Sequence, residues 1–191
     1  ILTVPLCFLC LQCVSTHFDG DKVGVQLNSQ VEDSSYGEII SKQTRSVNVY
    51  ENFETIYTLR ATYLDQKTMR EVDKKGHFLA KPPSKKWQDP KDYVYIFVSL
   101  YTPEQNVSNS LIKKDKWHIY SGNDGKKQSP ISIKRLKNKE YWKAFFPYID
   151  QWSEEYLIEF DKKDLPTNEQ EIMEITFSHK SAKTKFKWQK S

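Results

Sequence analysis

The stretch YVYIFVSLYT, from Tyr93 to Thr102, decides the fold predicted for this chain. It contains no charged residue, and its β-branched and aromatic side chains fall on both faces of an extended backbone. Such residues favour strands, and a strand that is apolar on both faces is typical of a fully buried position. The pattern therefore predicts a central strand of a sheet.

Other strand patterns lie on both sides of this segment. From Phe53 to Leu64, aromatic and β-branched residues alternate between two faces, which predicts a strand. Trp117–Ser121 and Ser129–Leu136 flank an Asp-Gly pair, which is typical of the turn between antiparallel strands, and they predict a hairpin. Further strands, of which the last two form a second hairpin, are predicted over Glu155–Asp161, Glu171–Ser178 and Lys183–Trp188.

Helical patterns are short and few. Gln66–Ala80 predicts an amphipathic helix broken by Gly76, and Glu140–Phe146 predicts a helical turn closed by Pro147. The strands are short, closely spaced and mostly joined by hairpin-length turns, without the regular alternation with helices that a parallel sheet needs. We therefore expect a mainly β fold, an antiparallel β-sandwich of immunoglobulin-like type with one or two short helices.

The first quarter of the chain differs in composition from the rest. Residues 14–46 are rich in Ser, Gln, Asp, Asn and Gly, and their hydrophobic residues are scattered rather than periodic. This composition is typical of a flexible linker. We expect one β-sandwich domain over residues 47–191, because a chain of 191 residues leaves little room for a second core.

The three cysteines lie in the opening apolar run ILTVPLCFLCLQC, at positions 7, 10 and 13. The run is uncharged and has the composition of the apolar stretch of a secretory signal, and it is shorter than the roughly 20 residues of a membrane span. The chain turns polar directly after Cys13, as at the processing site of a bacterial lipoprotein. We therefore predict that residues 1–13 are a signal-peptide remnant and that Cys13 carries the lipid.

The match to this processing site is imperfect. Cys10 and Gln12 occupy the places where the common pattern has Leu and a small residue. The alternatives are a buried N-terminal element of the mature fold, cleavage by an ordinary signal peptidase, and a truncated transmembrane anchor. With Cys13 as the lipidated residue, the chain is expected in the bacterial cell envelope, bound to the lipid bilayer through N-terminal acyl groups.

Charge and motifs exclude several classes of function. The chain has 29 basic and 25 acidic residues, and a net charge of +4 on a surface of mixed sign does not predict nucleic-acid binding. We find no phosphate-binding loop, dinucleotide fingerprint, HExxH motif or Gly-x-Ser-x-Gly elbow. No cysteine occurs after Cys13, so the body of the chain has no disulfide and no thiol nucleophile.

Histidines and paired carboxylates do not predict a catalytic or metal site either. No histidine is paired with a carboxylate at the spacing of metal ligands; the four are His17, His77, His118 and His179. Glu154-Glu155 and the pair Glu159 and Asp161 contain the groups that cleave glycosides, but surface charge pairs are the commoner explanation. The sequence thus predicts no catalytic residue, no metal and no cofactor.

Aromatic residues are concentrated in YWKAFFPYIDQWSEEY, from Tyr141 to Tyr156. Aromatic side chains on a rigid β scaffold bind sugar rings or protein partners, because each offers a large rigid face and a polar tip. A binding surface in this segment is predicted at Trp142, Tyr148 and Trp152. The alternative is that these side chains fill the core of the sandwich.

A resemblance to a known group appears in the order of four motifs. YVYIFVSLYTPE, KDKWHIYSGNDGKKQSPISIKRL, FFPYIDQW and EYLIEF, within Phe53–Asp161, resemble uncharacterised bacterial cell-envelope lipoproteins of spirochaete and deltaproteobacterial type. The resemblance implies an immunoglobulin-like β-rich domain behind a lipid anchor. Its motifs are structural rather than catalytic, so it implies no activity.

Three functions are consistent with these observations. The first is an envelope lipoprotein with a non-catalytic binding or structural domain, whose partner is an envelope or host protein. The second is a carbohydrate-binding module that uses the aromatic surface to hold a glycan, which requires its aromatic rings to be exposed. The third is a hydrolase, which requires His118 or His179 to meet a carboxylate and a hydroxyl in a pocket.

Overall fold

The computed structural model describes residues 34–78, 92–103, 110–112, 115–122, 127–163, 165, 172–180 and 182–189. The predictions for Cys13, His17 and the first part of the linker lie outside the described residues. The described residues form eight strands: β1 Thr44–Glu51, β2 Glu54–Leu64, β3 Tyr93–Tyr101, β4 Trp117–Ser121, β5 Ser132–Arg135, β6 Glu154–Asp161, β7 Ile172–His179 and β8 Lys183–Gln189. They also form three helices: α1 Ser34–Gln43, α2 Gln66–Phe78 and α3 Lys139–Lys143.

The strands form two antiparallel sheets. A large sheet has the order β1-β2-β3-β6-β5, and a small sheet has the order β4-β7-β8. The mainly β fold with two antiparallel sheets is confirmed, with one helix more than predicted. The strand order alone does not make the sandwich immunoglobulin-like, and that part stays a prediction.

The inner core lies between the two sheets. Alternate residues of β2, β3 and β6 point from the large sheet toward alternate residues of β4, β7 and β8. Aromatic rings join the layers: the centroids of Tyr57 and Trp117 are 5.0 Å apart, and those of Tyr63 and Trp188 are 6.2 Å apart. Burial of these rings gives the sandwich its main apolar contact.

The outer face of the large sheet is covered by the helices. Tyr95 and Phe97 of β3 and Leu157 of β6 point away from the small sheet and are buried against helical residues. β3 is thus the middle strand of the large sheet and is buried on both faces, because the small sheet covers one and the helices cover the other. The central strand predicted from Tyr93–Thr102 is confirmed.

The structure differs from one prediction at the start of the described chain. The predicted linker over residues 14–46 contains α1 and the beginning of β1 in its last part. Tyr36 and Ile40, four residues apart on one face of α1, are buried, and the Tyr36 hydroxyl donates to the carbonyl of Phe145 at 2.8 Å. The apolar face of α1 consists of few residues, and the surface that it packs against is distant in sequence. The sequence pattern of such a helix therefore resembles that of a linker.

The second helix begins at the residue that the sequence predicts and is not broken at Gly76. The Asp65 carboxylate accepts a hydrogen bond from the Thr68 backbone N–H at 2.7 Å and so caps α2. Met69 and Val72 are buried from one face of this helix. The helix continues through Gly76 to Phe78, so the predicted break at Gly76 is wrong. Packing of the apolar face outweighs the weak helix propensity of a single glycine.

Candidate functional site

The predicted aromatic surface does not exist as a surface. Trp142 is 0% exposed and Tyr148 is 8% exposed, whereas Trp152 is 56% exposed. The Trp142 ring lies 5.8 Å from the ring of Phe97 on the outer face of the large sheet. The prediction is therefore wrong for Trp142 and Tyr148, and the glycan-binding alternative loses two of its three side chains.

The aromatic segment is buried because α3 and the turns after it close over β3. Asn138 begins α3 with a left-handed backbone, and its side chain accepts from the Tyr141 N–H at 3.3 Å. Phe146 then stacks on Phe97 with 3.8 Å between ring centroids. The Tyr148 hydroxyl bonds to the hydroxyl of Thr62. These side chains fill the space between the helices and the sheet. Core filling was the alternative to a binding surface for this segment.

A cleft lies where the chain crosses from the small sheet to the large one. Ser121 at the end of β4 and Gln128 exchange two backbone hydrogen bonds of 2.9 Å, but β4 pairs with β7 and β5 pairs with β6. The predicted hairpin between these two strands is therefore wrong beyond this bridge. Pro130, which lacks an N–H, stands between the bridge and β5, and the two strands diverge there.

The divergence leaves an apolar cleft of about 520 Å³, called here the β4–β5 cleft. Ile112 and Ile131 are 50% and 52% exposed, and they are two of the five large hydrophobic side chains that are exposed in the described residues. The cleft is lined by Leu111, Ile112, Trp117, His118, Ile119, Tyr120, Lys127, Ser129, Pro130, Ile131, Ser132 and Ile133. Most of this lining is apolar, so the cleft is built to bury an apolar group.

One side of the cleft is cationic. The Lys127 ammonium lies 4.9 Å from the centroid of the Tyr120 ring, and the Lys183 ammonium lies 6.0 Å from the same centroid. The exposed His118 also belongs to the lining, and none of the lining residues in the described part of the chain is acidic. An apolar group with a neighbouring negative charge would therefore meet the apolar lining with one part and the lysines with the other.

A polar network holds the wall that contains Leu111 and Ile112. The Ser110 hydroxyl lies 2.8 Å from the Tyr156 hydroxyl, which bonds to the Glu154 carboxylate, and Arg135 contacts the same carboxylate at 2.5 Å. Burial raises the pKa of Tyr156, so its hydroxyl stays protonated and donates to Glu154. Since the phenol has one hydrogen, the Ser110 hydroxyl donates to Tyr156. The network ties this wall of the cleft to β5 and β6.

The remaining acidic candidates serve the fold. Glu155 and Glu159 point to the outer face of the large sheet and are buried, and Lys134 lies 3.7 Å from Glu159. The Ser153 hydroxyl donates to Glu155 at 2.6 Å, and burial raises the pKa of the Glu155 carboxyl. Glu154, its neighbour in the chain, points to the opposite face. The two carboxylates therefore do not form the facing pair that a glycosidase needs.

His179, one of the two histidines that the hydrolase alternative names, packs among aromatic rings of the core. His179 packs against Trp117, with 4.7 Å between ring centroids, and against Tyr57 at 5.8 Å. Burial, with Lys116 and Lys180 nearby, lowers the pKa of His179. Among the residues that the structure describes, no group of three His, Cys, Asp or Glu side chains could hold a metal ion.

The sequence did not reveal the β4–β5 cleft. Ile112 and Ile131 stand as single apolar residues in polar surroundings, and isolated apolar residues are common on protein surfaces. Their shared position depends on two strands that belong to different sheets. Only the crossing of the chain between the sheets brings them together.

No helix in the described parts of the chain has the length and apolar character needed to cross a membrane. Comparison with protein-family models, with curated proteins and with solved structures gives no match.

Proposed function

We propose that this chain is a non-catalytic binding domain of a bacterial envelope lipoprotein, and that the β4–β5 cleft holds an apolar segment of a partner protein. The observation that carries the proposal is the half exposure of Ile112 and Ile131 at the mouth of an apolar cleft. Burying one such side chain fully contributes about 1.5–3 kcal/mol. Both isoleucines are already about half buried, so covering the two contributes roughly 1.5–3 kcal/mol in total, and the remaining affinity has to come from the cleft lining and the strand edges.

The edges of the two sheets favour a polypeptide over a small ligand. β4 is the last strand of the small sheet and β5 is the last strand of the large sheet, so in the described residues each has one edge without a neighbouring strand. An extended segment can add to such an edge through backbone hydrogen bonds and place alternate side chains in a cleft. A protein strand therefore uses both the edges and the apolar lining.

A photo-crosslinking amino acid at Ile131 tests the cleft in intact cells that make the full chain. Ile131 and Trp152 have similar exposed fractions, 52% and 56%, so Trp152 is the matched control position. We expect a discrete protein adduct from position 131 and none of the same mass from position 152. Adding Ile112→Lys to the crosslinking chain should remove the adduct, because the charge occupies the mouth of the cleft. Equal adducts from both positions, or no protein adduct from position 131, would contradict the proposal.

The lipid anchor is a separate part of the proposal. Cys13 stands at the end of the apolar run and is followed by polar residues, which is the arrangement from which lipidation is inferred. Metabolic labelling with a fatty-acid analogue should mark the wild-type chain and the Cys10→Ala variant, and it should not mark Cys13→Ala. Unchanged labelling of Cys13→Ala would place the lipid elsewhere and remove the anchor at this residue. The cleft experiment does not depend on this result.

A further inference from the structure

β1 and β2 are joined by a turn of two residues. Glu51 faces Glu54 across the hairpin, so Asn52 and Phe53 form the loop. Both have positive φ, 50° for Asn52 and 66° for Phe53, as in a type I′ turn. Asparagine and glycine suit this conformation, whereas a bulky side chain at positive φ is strained. Phe53 thus occupies a position where the backbone favours glycine.

The Phe53 side chain gains no burial that would offset this strain. Its exposed fraction is 107%, and that of Tyr50 beside the turn is 63%. Neither the local backbone nor the core therefore explains an aromatic residue at this position. Backbone strain and exposed aromatic surface are each typical of contact sites, and here they coincide at one hairpin tip, defined as residues 50–54.

The charges of the hairpin tip define the surface that would receive it. Glu51 and Glu54 are exposed and stand opposite each other, so negative charge flanks Phe53 on both strands. A complementary surface must offer an apolar recess with cations at its rim. The β4–β5 cleft has this character, with Ile131 at its mouth and Lys127 at its side.

The hairpin tip does not fill the cleft of its own chain. Phe53 is 107% exposed, so its ring is not packed between Ile112 and Ile131 of the same molecule. β1 and β5 are the two end strands of the large sheet, with β2, β3 and β6 between them, and with about 4.8 Å between neighbouring strands they are separated by roughly 19 Å. With both surfaces in the arrangement described, a contact between Phe53 and these isoleucines joins different molecules.

We infer that the hairpin tip of one copy docks into the β4–β5 cleft of a second copy. This inference rests on the proposed function of the cleft and names its occupant. The Phe53 ring packs between Ile112 and Ile131, and the flanking carboxylates face Lys127. Each copy carries two different surfaces, so the contact is heterologous and extends into a ring or a chain of molecules.

Sedimentation velocity of the full chain over a concentration series tests this contact. We expect the mass of the wild type to rise with concentration, and Phe53→Gly and Ile131→Lys to weaken the association at least tenfold. Phe53→Gly creates the Asn-Gly turn that type I′ geometry favours, so its thermal unfolding temperature should equal or exceed that of the wild type. Loss of association with an intact fold then shows that the side chain, and not the turn, makes the contact.

Mixing the two variants gives the sharpest outcome. Phe53→Gly retains the cleft and Ile131→Lys retains the tip, so the mixture can form one contact per pair. We expect heterodimers and no larger species, while Trp152→Ser, altered at an exposed aromatic outside both surfaces, should associate like the wild type. A wild type that is monomeric into the millimolar range would overturn the inference. Association that persists unchanged in both variants would also overturn the inference. It would then arise from a part that all variants share, such as the apolar run at residues 1–13, and not from the hairpin tip and the cleft.

The same measurements separate this inference from the proposed function. A monomeric wild type together with a protein adduct from position 131 overturns self-association and leaves partner capture by the cleft in place. A crosslinked product of two copies of this chain, formed through position 131 and lost in Phe53→Gly, supports both. Absence of any protein adduct at position 131 together with a monomeric wild type overturns both.

Discussion

The two outer faces of the sandwich differ in what covers them. The outer face of the large sheet lies beneath the helices, and its central side chains Phe97 and Leu157 are buried there. On β8 of the small sheet, the outer face carries Lys183, Lys185 and Lys187, which are exposed. A strand covered on both sides is apolar throughout, whereas a strand covered on one side alternates strictly. The sequence pattern of a strand therefore reports how many layers lie against it.

The polar groups of the two faces differ in the same way. Beneath the helices, the Thr62 hydroxyl bonds to the hydroxyls of Thr44 and Tyr148. On the small sheet, Glu174 reaches Lys185 at 3.0 Å and Lys187 at 3.7 Å in contact with solvent. Buried polar groups need fixed partners, whereas exposed ones exchange partners with water. The covered face should therefore be sensitive to substitution, and the open face around Glu174 and the β8 lysines should be tolerant.

The largest effect on the free energy of unfolding is expected when a large side chain is removed from the covered face. Phe97→Ala removes the ring that stacks on Phe146 at 3.8 Å and lines the helical layer, and it should lower the free energy of unfolding by about 3–5 kcal/mol. Urea denaturation followed by tryptophan fluorescence measures this. The exposed Trp152→Ala, followed by circular dichroism, should change the free energy by less than about 0.5 kcal/mol. Similar values for both variants would mean that the helices do not pack on this face as described.

A gain in stability is expected at a single buried hydroxyl of the small sheet. Thr176 is 0% exposed, and its hydroxyl oxygen has no hydrogen-bond partner in the described structure. Thr176→Val keeps the shape, removes this unsatisfied group, and should raise the free energy of unfolding by about 1 kcal/mol. Thr184 is the matched control, because its hydroxyl bonds to Tyr57 at 3.1 Å and Thr184→Val should lower stability. Losses in both variants would show that the Thr176 hydroxyl is satisfied.

A smaller, pH-dependent effect is expected at Glu155 on the covered face. Burial raises the pKa of this carboxyl in the folded protein above its ordinary value of 4.5, so the protonated form favours folding. Its stabilising contribution is fully present below the unfolded pKa and is lost as pH rises through the folded pKa. Glu155→Gln should therefore be more stable than the wild type at neutral pH, and the difference should disappear below about pH 4.

Chemical denaturation at a series of pH values measures this difference. Glu174→Gln is the matched control on the open face, since it removes a carboxylate from two lysines and should slightly lower stability at neutral pH. A difference between wild type and Glu155→Gln that does not change with pH would contradict the role assigned to burial.

The smallest effect is expected on the open face. Lys185→Ala removes a partly exposed ion pair with Glu174, and such pairs contribute about 0–1 kcal/mol and are screened by salt. We expect a change in the free energy of unfolding below about 0.5 kcal/mol, and none in high salt, by urea denaturation. A large loss would show that another element covers this face as the helices cover the large sheet.

The pattern of apolar and polar residues within each segment predicted most of the strands but did not predict the β4–β5 cleft. β2, β3, β6, β7 and β8 lie within a residue or two of their predicted bounds, because each carries an apolar face long enough to read alone. The helix α1 was missed because its apolar face is two side chains wide. The aromatic segment was read as a surface because the number of aromatic residues does not indicate which face of a neighbouring sheet is uncovered.

The sequence by itself determined that β2, β3, β6, β7 and β8 are strands, which strand is central and which face of β8 meets solvent. These properties follow from the order of side chains along one extended backbone. Only the tertiary structure decided that Trp142 and Tyr148 are buried, that β4 and β5 belong to different sheets, and that Ile112 and Ile131 share a cleft. These properties depend on which distant segments lie against one another, and no periodicity within a segment encodes that.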